Sequence, residues 1–367
     1  MEIVVAGHIC LDVIPKWPAG SLEALQPGTM VVMDGISFAT GGAVSNTGIA
    51  LRRLGFQPIL VGRIGSDHFG EIVQRIYAEE GIDGQYLAVC PGETTSYTIV
   101  LSPPGSDRAF LHYPGTNDCF SSWDVDFSTL PKGLFHFGYP PLMANMYQDG
   151  GRQLVDLFQR AKAAGMVTSL DMAMPDPDSP AGQASWRDIL AAVLPFVDVF
   201  LPSIDELLYM LGRIGPVTSL AMVEEVAEEA LAMGAGAIGI KLGDQGLYLQ
   251  TGPQGDGLLG PGWGNRQLTA ACFVVDVQGT TGAGDSTIAG FLAGIAEKQS
   301  PEETLTWAVA VGAHCVEMLS ATEGIPPLSQ VQERIGEGWA RRPLSLDCPR
   351  WRVGEGNLLV GPRDMKG

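Results

Sequence analysis

Positive charge is scarce in this 367-residue chain, where 22 Lys and Arg stand against 41 Asp and Glu, a formal net charge of −19 at pH 7. Nucleic acid and anionic membrane both call for clustered cations, so neither is expected as a partner. Binding an anionic small molecule would need local help from backbone amides, a few cations and Mg²⁺. The six cysteines, Cys10, Cys90, Cys119, Cys272, Cys315 and Cys348, form no C-x-x-C pair. That spacing points to neither a zinc site nor a disulfide framework and leaves reduced thiols as the expectation. No apolar run approaches the roughly 18 residues of a membrane span, and MEIVVAGHICLDVI does not read as a signal peptide, so a cytoplasmic protein is expected. His8, His68, His112, His136 and His314 lack metal-ligand spacing, and no H-E-x-x-H occurs.

What the chain does contain is 46% hydrophobic and 17% charged residues, enough for one sizeable α/β domain with an appendage, or for two domains. Short apolar runs alternate with helical patterns: Ile3 to Ala6, Ala43 to Leu54, Ile59 to Val61, Phe69 to Glu80. This order predicts βαβ units and a mainly parallel sheet. Gly55, Gly81, Gly165 and Gly212 each stand where a helix would stop. Val167 to Leu170 and Val197 to Leu201 read as buried strands, and Ser219 to Met233 as a surface helix. Two stretches break the alternation, Ile14 to Thr40 and Thr95 to Asn117. They carry the β-prone runs MVVM and SYTIVL, the second followed by a PPGSD turn and RAFLHY, which predicts a hairpin. Together they are expected to form a small sheet covering one end of the main sheet as a lid. The tail after about Ala340 has no assignable pattern.

The richest segment is VVDVQGTTGAGDSTIAGFLAG, Val274 to Gly294. Gly282, Ala283 and Gly284 let an anion approach backbone N–H groups closely, and the helix that follows adds unpaired amides and the positive end of its dipole. Asp285 in the first turn is favoured by that dipole and is expected to stay ionised, though such a residue can also serve merely as a helix cap. TTGAGDST lacks the lysine of a Walker A loop. GAGAIG, Gly234 to Gly239, matches G-x-G-x-x-G but follows a helix and enters a strand, the reverse of a dinucleotide fingerprint.

TTGAGDSTIAGFLAG resembles the C-terminal signature of the ribokinase-like, or phosphofructokinase B, carbohydrate kinases. The resemblance implies that Gly282, Ala283 and Gly284 form an anion hole and that Asp285 is the base acting on a sugar hydroxyl. GGAVSNTGIALRRLG, with VGRIGSDHFG after it, resembles the family's N-terminal signature and implies Gly41, Gly42 and Asn46 beside the substrate. Asp12, after the first strand, stands where the family holds sugar hydroxyls, at the strand end where open α/β sheets bind ligands. His112 and Asn117 on the return strand of the lid are further substrate candidates. KLGDQG resembles the nucleotide loop, with Gly243, Gly246 and Lys241, although Lys241 also fits a solvated strand end. PSIDEL has Ser203 where the family usually has asparagine, and keeps Glu206 for Mg²⁺ handling. Gly279 replaces an aspartate that helps some members hold a monovalent cation, with Asp276 three residues earlier, which counts against potassium activation.

The resemblance covers about residues 1–330 and implies a ribokinase-like α/β fold with a β-sheet lid, leaving 331–367 as an extension. It implies an ATP- and Mg²⁺-dependent sugar kinase, with a homodimer through the lid edges as the expected assembly. Arg63 and Arg108 would suit a phosphorylated sugar, Tyr113 or Tyr139 a nucleoside. A nucleoside kinase of the same fold, and a sugar- or nucleotide-binding regulator without turnover, remain alternatives.

Overall fold

The structure, a computed structural model, describes residues 1–18, 25–103 and 109–364. β1 (Glu2–Gly7) is buried from its second residue onward, and its alternating side chains feed opposite cores: Ile3 and Val5 on one side, Val4 and Ala6 on the other. The chain then leaves the main sheet for β2 (Cys10–Lys16) and β3 (Gly35–Gly41) before α1 (Ala43–Arg53), β4 (Ile59–Gly65), α2 (His68–Glu79) and β5 (Leu87–Cys90). β6 (Tyr97–Leu101) and β7 (Ala109–Tyr113) make a second excursion.

After it come β8 (Gly133–Gly138), α3 (Ala144–Tyr147), α4 (Arg152–Ala163), β9 (Val167–Leu170), α5 (Trp186–Val193), β10 (Val199–Phe200), α6 (Ile204–Met210), α7 (Leu220–Ala232) and β11 (Ala237–Lys241). The last part holds β12 (Leu247–Thr251), α8 (Gly255–Leu258), β13 (Gln267–Ala270), α9 (Ala283–Ala296), α10 (Pro301–Val316), α11 (Leu328–Gly336), β14 (Arg352–Val353) and β15 (Leu359–Val360). The four glycines expected to stop helices follow α1, α2, α4 and α6, and Gly234 to Gly239 does join a helix, α7, to a strand, β11.

Among the described residues the main sheet runs β14-β15-β13-β12-β11-β10-β9-β8-β1-β4-β5. It is parallel from β5 to β11 and antiparallel from β11 to β14. One core lies beneath α1, α2, α9, α10 and α11, the other beneath α4 to α7. No helix among the described residues is long and apolar enough to cross a membrane.

The two excursions do meet, in a separate sheet of order β3-β2-β6-β7, and β6 and β7 pair antiparallel as expected for the hairpin. The PPGSD turn from Pro104 onward, and Arg108, lie outside the described residues. MVVM is not a strand. β2 ends at Lys16, so residues 30–33 have no partner ladder; Met30 and Val32 are 87% and 72% exposed, and the strand forms from Gly35, where β2 can pair with it. Asp12 likewise sits inside lid strand β2, opposite Ala39 and beside Thr98, rather than in a loop after β1. The tail adds β14 and β15 to the main sheet, and Leu344, Leu346 and Trp351 pack onto the second core.

Candidate active site

The carboxyl ends of the parallel strands, where an open α/β sheet exposes its ligand-binding crevice, converge on Asp285. This aspartate is the third residue of α9 and is 3% exposed. Gly282 precedes it in the left-handed region (φ 75°), and a Cβ there would lie 2.6 Å from the Cβ of Ala321. Only glycine allows the turn to pass this close and still point the first-turn amides of α9 outward.

Two side chains hold the Asp285 carboxylate. Asn46 in α1 donates from Nδ2 to Oδ2 at 2.9 Å, and the Tyr139 hydroxyl, just past β8, donates to both oxygens at 2.9 Å. Thr47 adds a bond to the Asp285 carbonyl at 3.4 Å. Burial pushes the Asp285 carboxyl above its ordinary value, while Asn46, Lys241 and Tyr139 pull it back. The helix dipole alone, from which an ordinary ionised carboxylate was expected, misses this burial.

On one side of Asp285 lies a cavity of about 550 Å³ whose walls include Ser203, Asp205, Glu206, Lys241, Gly243, Gly282 and Gly284. Lys241, the last residue of β11, is not a solvated strand end. Its Nζ donates to Asp171 Oδ1 at 2.5 Å, with side chains 13% and 1% exposed. Burial alone would lower the lysine and it does raise the aspartate; the pair's mutual attraction keeps Lys241 above its ordinary value. Asp171 Oδ2 has no partner. Glu206 and Ser203 form a reciprocal cap on α6: the Ser203 amide donates to Glu206 Oε2 at 2.6 Å and the Glu206 amide to Ser203 Oγ at 3.3 Å. The serine thus keeps a helix cap while one Glu206 oxygen is engaged.

A second cavity, of about 300 Å³, adjoins the first and shares Lys241, Gly243 and Gly284 with it. Gly246 and Ala283 line it together with Phe273, Val275, Val277, Val309 and Val316.

On the lid side of Asp285 the structure gathers a polar cluster. His8, between β1 and β2, is 1% exposed and neither ring nitrogen has a partner. Burial, with His112 nearby, lowers it to about 3, so the ring is neutral. Its centroid lies 5.4 Å from His112 and 6.1 Å from Tyr139. His112 pairs with the Thr98 hydroxyl at 2.9 Å. Gly42 (φ 86°) starts α1 against His8, where a Cβ would come 2.5 Å from His8 Nδ1. A Cβ on Gly41 would lie 2.5 Å from Asp12 Oδ2. Asn46 Oδ1, buried, is also without a partner.

Asn117 does not join this cluster as a free amide. Its Oδ1 accepts from the Ile9 amide at 3.2 Å and its Nδ2 donates to the Ile9 carbonyl at 2.8 Å, so it pins the β1–β2 connection in place. Arg63 is held by Asp124 and Glu93 at 2.7 and 2.9 Å. Tyr113 packs against Tyr97, and Tyr139 is turned to Asp285. His136 is buried and bonds Ser169, as a core residue should. The sequence assigns no role to His8 or Asp171 and offers Tyr139 only as a stacking surface for a nucleoside, not as a partner of Asp285; HFGYPP and SLDMAMP show an apolar strand ending in a polar residue, which marks a strand end but names no role.

A model of the pfkB family carbohydrate kinases matches residues 1–327. An uncharacterized sugar kinase of Archaeoglobus fulgidus is 26% identical over 76% of this chain and 98% of its own length. The probable chloroplastic fructokinase-6 of Arabidopsis thaliana is 24% identical over 91% of this chain and 82% of its own. Among solved structures, a putative ribokinase II of E. coli in apo form superposes with a TM-score of 0.72 at 22% identity, over 92% of this chain and 99% of that one. A fructokinase of Xylella fastidiosa with bound ATP superposes at 0.71, also 22% identical, over 92% and 98%.

Proposed function

The chain belongs to the pfkB family of carbohydrate kinases, phosphotransferases with an alcohol group as acceptor, and we propose that it moves the γ-phosphoryl group of ATP to a hydroxyl of an uncharged sugar or sugar-like molecule. The observation that carries this reading is the position of Asp285, buried between the cavity lined by Lys241 and Gly284 and the polar lid cluster of His8, His112 and Asp12.

In this reading Asp285 accepts the proton of the attacking hydroxyl, late in a loose transition state for which positioning matters more than basicity. Burial makes it a stronger base than an exposed carboxylate, and Asn46 and Tyr139 orient it. The turn Gly282, Ala283, Gly284 receives the charge on the transferring group. Lys241 stands on the phosphate wall, with Gly243 and Gly246 beside the nucleotide. Asp12, Gly41, Gly42, Asn46 and His8 orient the acceptor. Arg63, the described cation that would suit a phosphorylated acceptor, is already paired with Glu93 and Asp124, which favours an uncharged acceptor over a sugar phosphate.

Mg²⁺ fits this site as an ion held mainly by substrate oxygens and water. Glu206 has one oxygen engaged in the cap, and among the described residues no three His, Cys, Asp or Glu are grouped to hold a metal alone. It would neutralise charge on the β- and γ-phosphates, with Glu206 as its protein anchor.

Tyr139 gives a pH test. Its hydroxyl stabilises the ionised form of Asp285, so Tyr139→Phe raises the carboxyl further and the acidic limb of kcat/KM moves to higher pH. An unmoved limb removes Tyr139 from the base.

The lid also presents exposed Ile36, Phe38, Phe110 and Leu111 near its edge strands β3 and β7, and we expect a homodimer through this sheet. Light scattering giving a monomer mass at micromolar concentration would contradict it.

The kinase reading is tested by ADP release with Mg²⁺-ATP across sugars, sugar phosphates, sugar acids and nucleosides. Turnover on uncharged sugars supports it. Turnover confined to nucleosides selects the nucleoside kinase, and tight ligand binding with no turnover on any class selects the regulator.

A further inference from the structure

We infer that the C-terminal segment beyond the family-matched residues forms a wall of the nucleotide site, and that Arg342 contacts the bound purine nucleotide from it. The inference rests on the kinase reading.

The family match stops at residue 327, yet the chain continues through α11 and runs back along the loops that follow β11 and β13. It is fastened there at several points. The Arg341 guanidinium donates to the Ala271 carbonyl at 2.8 Å and to Thr306 Oγ1 at 3.0 Å, and lies 4.4 Å from the centre of the Phe273 ring. The Arg342 amide donates to the Cys272 carbonyl at 2.8 Å. The Ser345 amide donates to Gln245 Oε1 at 2.7 Å, and the Arg342 guanidinium meets Asp244 at 3.2 Å.

As a result, Arg342 lines the 300 Å³ cavity and Leu346 the 550 Å³ one. The smaller cavity has an apolar floor of Phe273, Val275, Val309 and Val316, suited to a flat uncharged base. Lys241 and Gly284, shared with the larger cavity, mark its phosphate end. Arg342 is 43% exposed and Asp244 61%; an ion pair this exposed adds little stability, so the guanidinium can turn to a ligand. A planar guanidinium stacks on a purine face and also bonds phosphate oxygens, which a lysine does less well.

The experiment is calorimetric titration of the full chain with Mg²⁺-ATP, alongside KM for ATP and for the acceptor. Arg342→Ala is expected to weaken ATP binding and raise KM for ATP about tenfold, the scale of one lost cation–π contact or charged hydrogen bond. KM for the acceptor should stay unchanged, and Arg342→Lys should recover only part of the loss. Arg342→Gln serves if the alanine variant does not fold. Arg352→Ala, on exposed β14, controls for loss of one positive charge and should bind as the unaltered chain does. Wild-type affinity in folded Arg342→Ala or Arg342→Gln overturns the inference. An unaltered chain that binds no Mg²⁺-ATP overturns the kinase reading itself.

Discussion

Asp285→Asn is expected to lower kcat roughly a thousandfold, within the range that a positioned general base contributes, while Mg²⁺-ATP and acceptor still bind. The substitution keeps the size and shape of the side chain, and an asparagine oxygen can still accept from Tyr139 or Asn46. What it removes is the carboxylate that, in the proposed mechanism, takes the proton of the attacking hydroxyl. Because the carboxylate is 3% exposed, water is a poor substitute for it. Steady-state kinetics with calorimetric titration of both ligands measures the split. Turnover within tenfold of the unaltered chain would remove Asp285 from its role as base.

Lys241→Met is expected to destabilise the fold by about 3–5 kcal/mol, the usual result of removing one partner of a buried ion pair. The methionine fills most of the same volume but leaves Asp171, 1% exposed, without its cation. Asp171 Oδ2 already lacks a partner, so both carboxylate oxygens would then be without the lysine's bond. The pH dependence has a definite sign. Burial raises the Asp171 carboxyl to about 8 although Lys241 opposes this; without the lysine it rises further, and the folded variant holds the proton to higher pH than the unaltered chain does. A folded-state carboxyl above its unfolded value loses stability as pH rises. The deficit of the variant is therefore larger at about pH 9 than at about pH 6, and Asp171→Asn in the same chain should recover much of it. Urea unfolding at the two pH values checks this, and a deficit that is small or independent of pH would contradict the pairing.

The parallel sheet was legible because each of its first units writes its own period: β1 and β4 are short apolar runs, and α1 and α2 carry helical spacing ended by glycine. The turn before Asp285 was legible because its glycines and its helix are contiguous. Tyr139 and Asp171 were not, since they meet Asp285 and Lys241 across 146 and 70 residues, and only the strand order brings those ends together. Asn117 shows the opposite limit: a polar residue near the site reads as a ligand contact until the Ile9 main chain is seen to satisfy both its ends. MVVM had the propensity of a strand but no neighbour to pair with. The two-residue strands β14 and β15 leave no periodicity at all, and their place depends on β13 offering a free edge.

The most direct test of the account is the mass of the acceptor after incubation with Mg²⁺-ATP. The account predicts that an uncharged sugar gains one phosphoryl group for each ADP formed. ADP appearing with the sugar unchanged, or a panel of uncharged sugars left unmodified while the protein is shown to bind ATP, would contradict it.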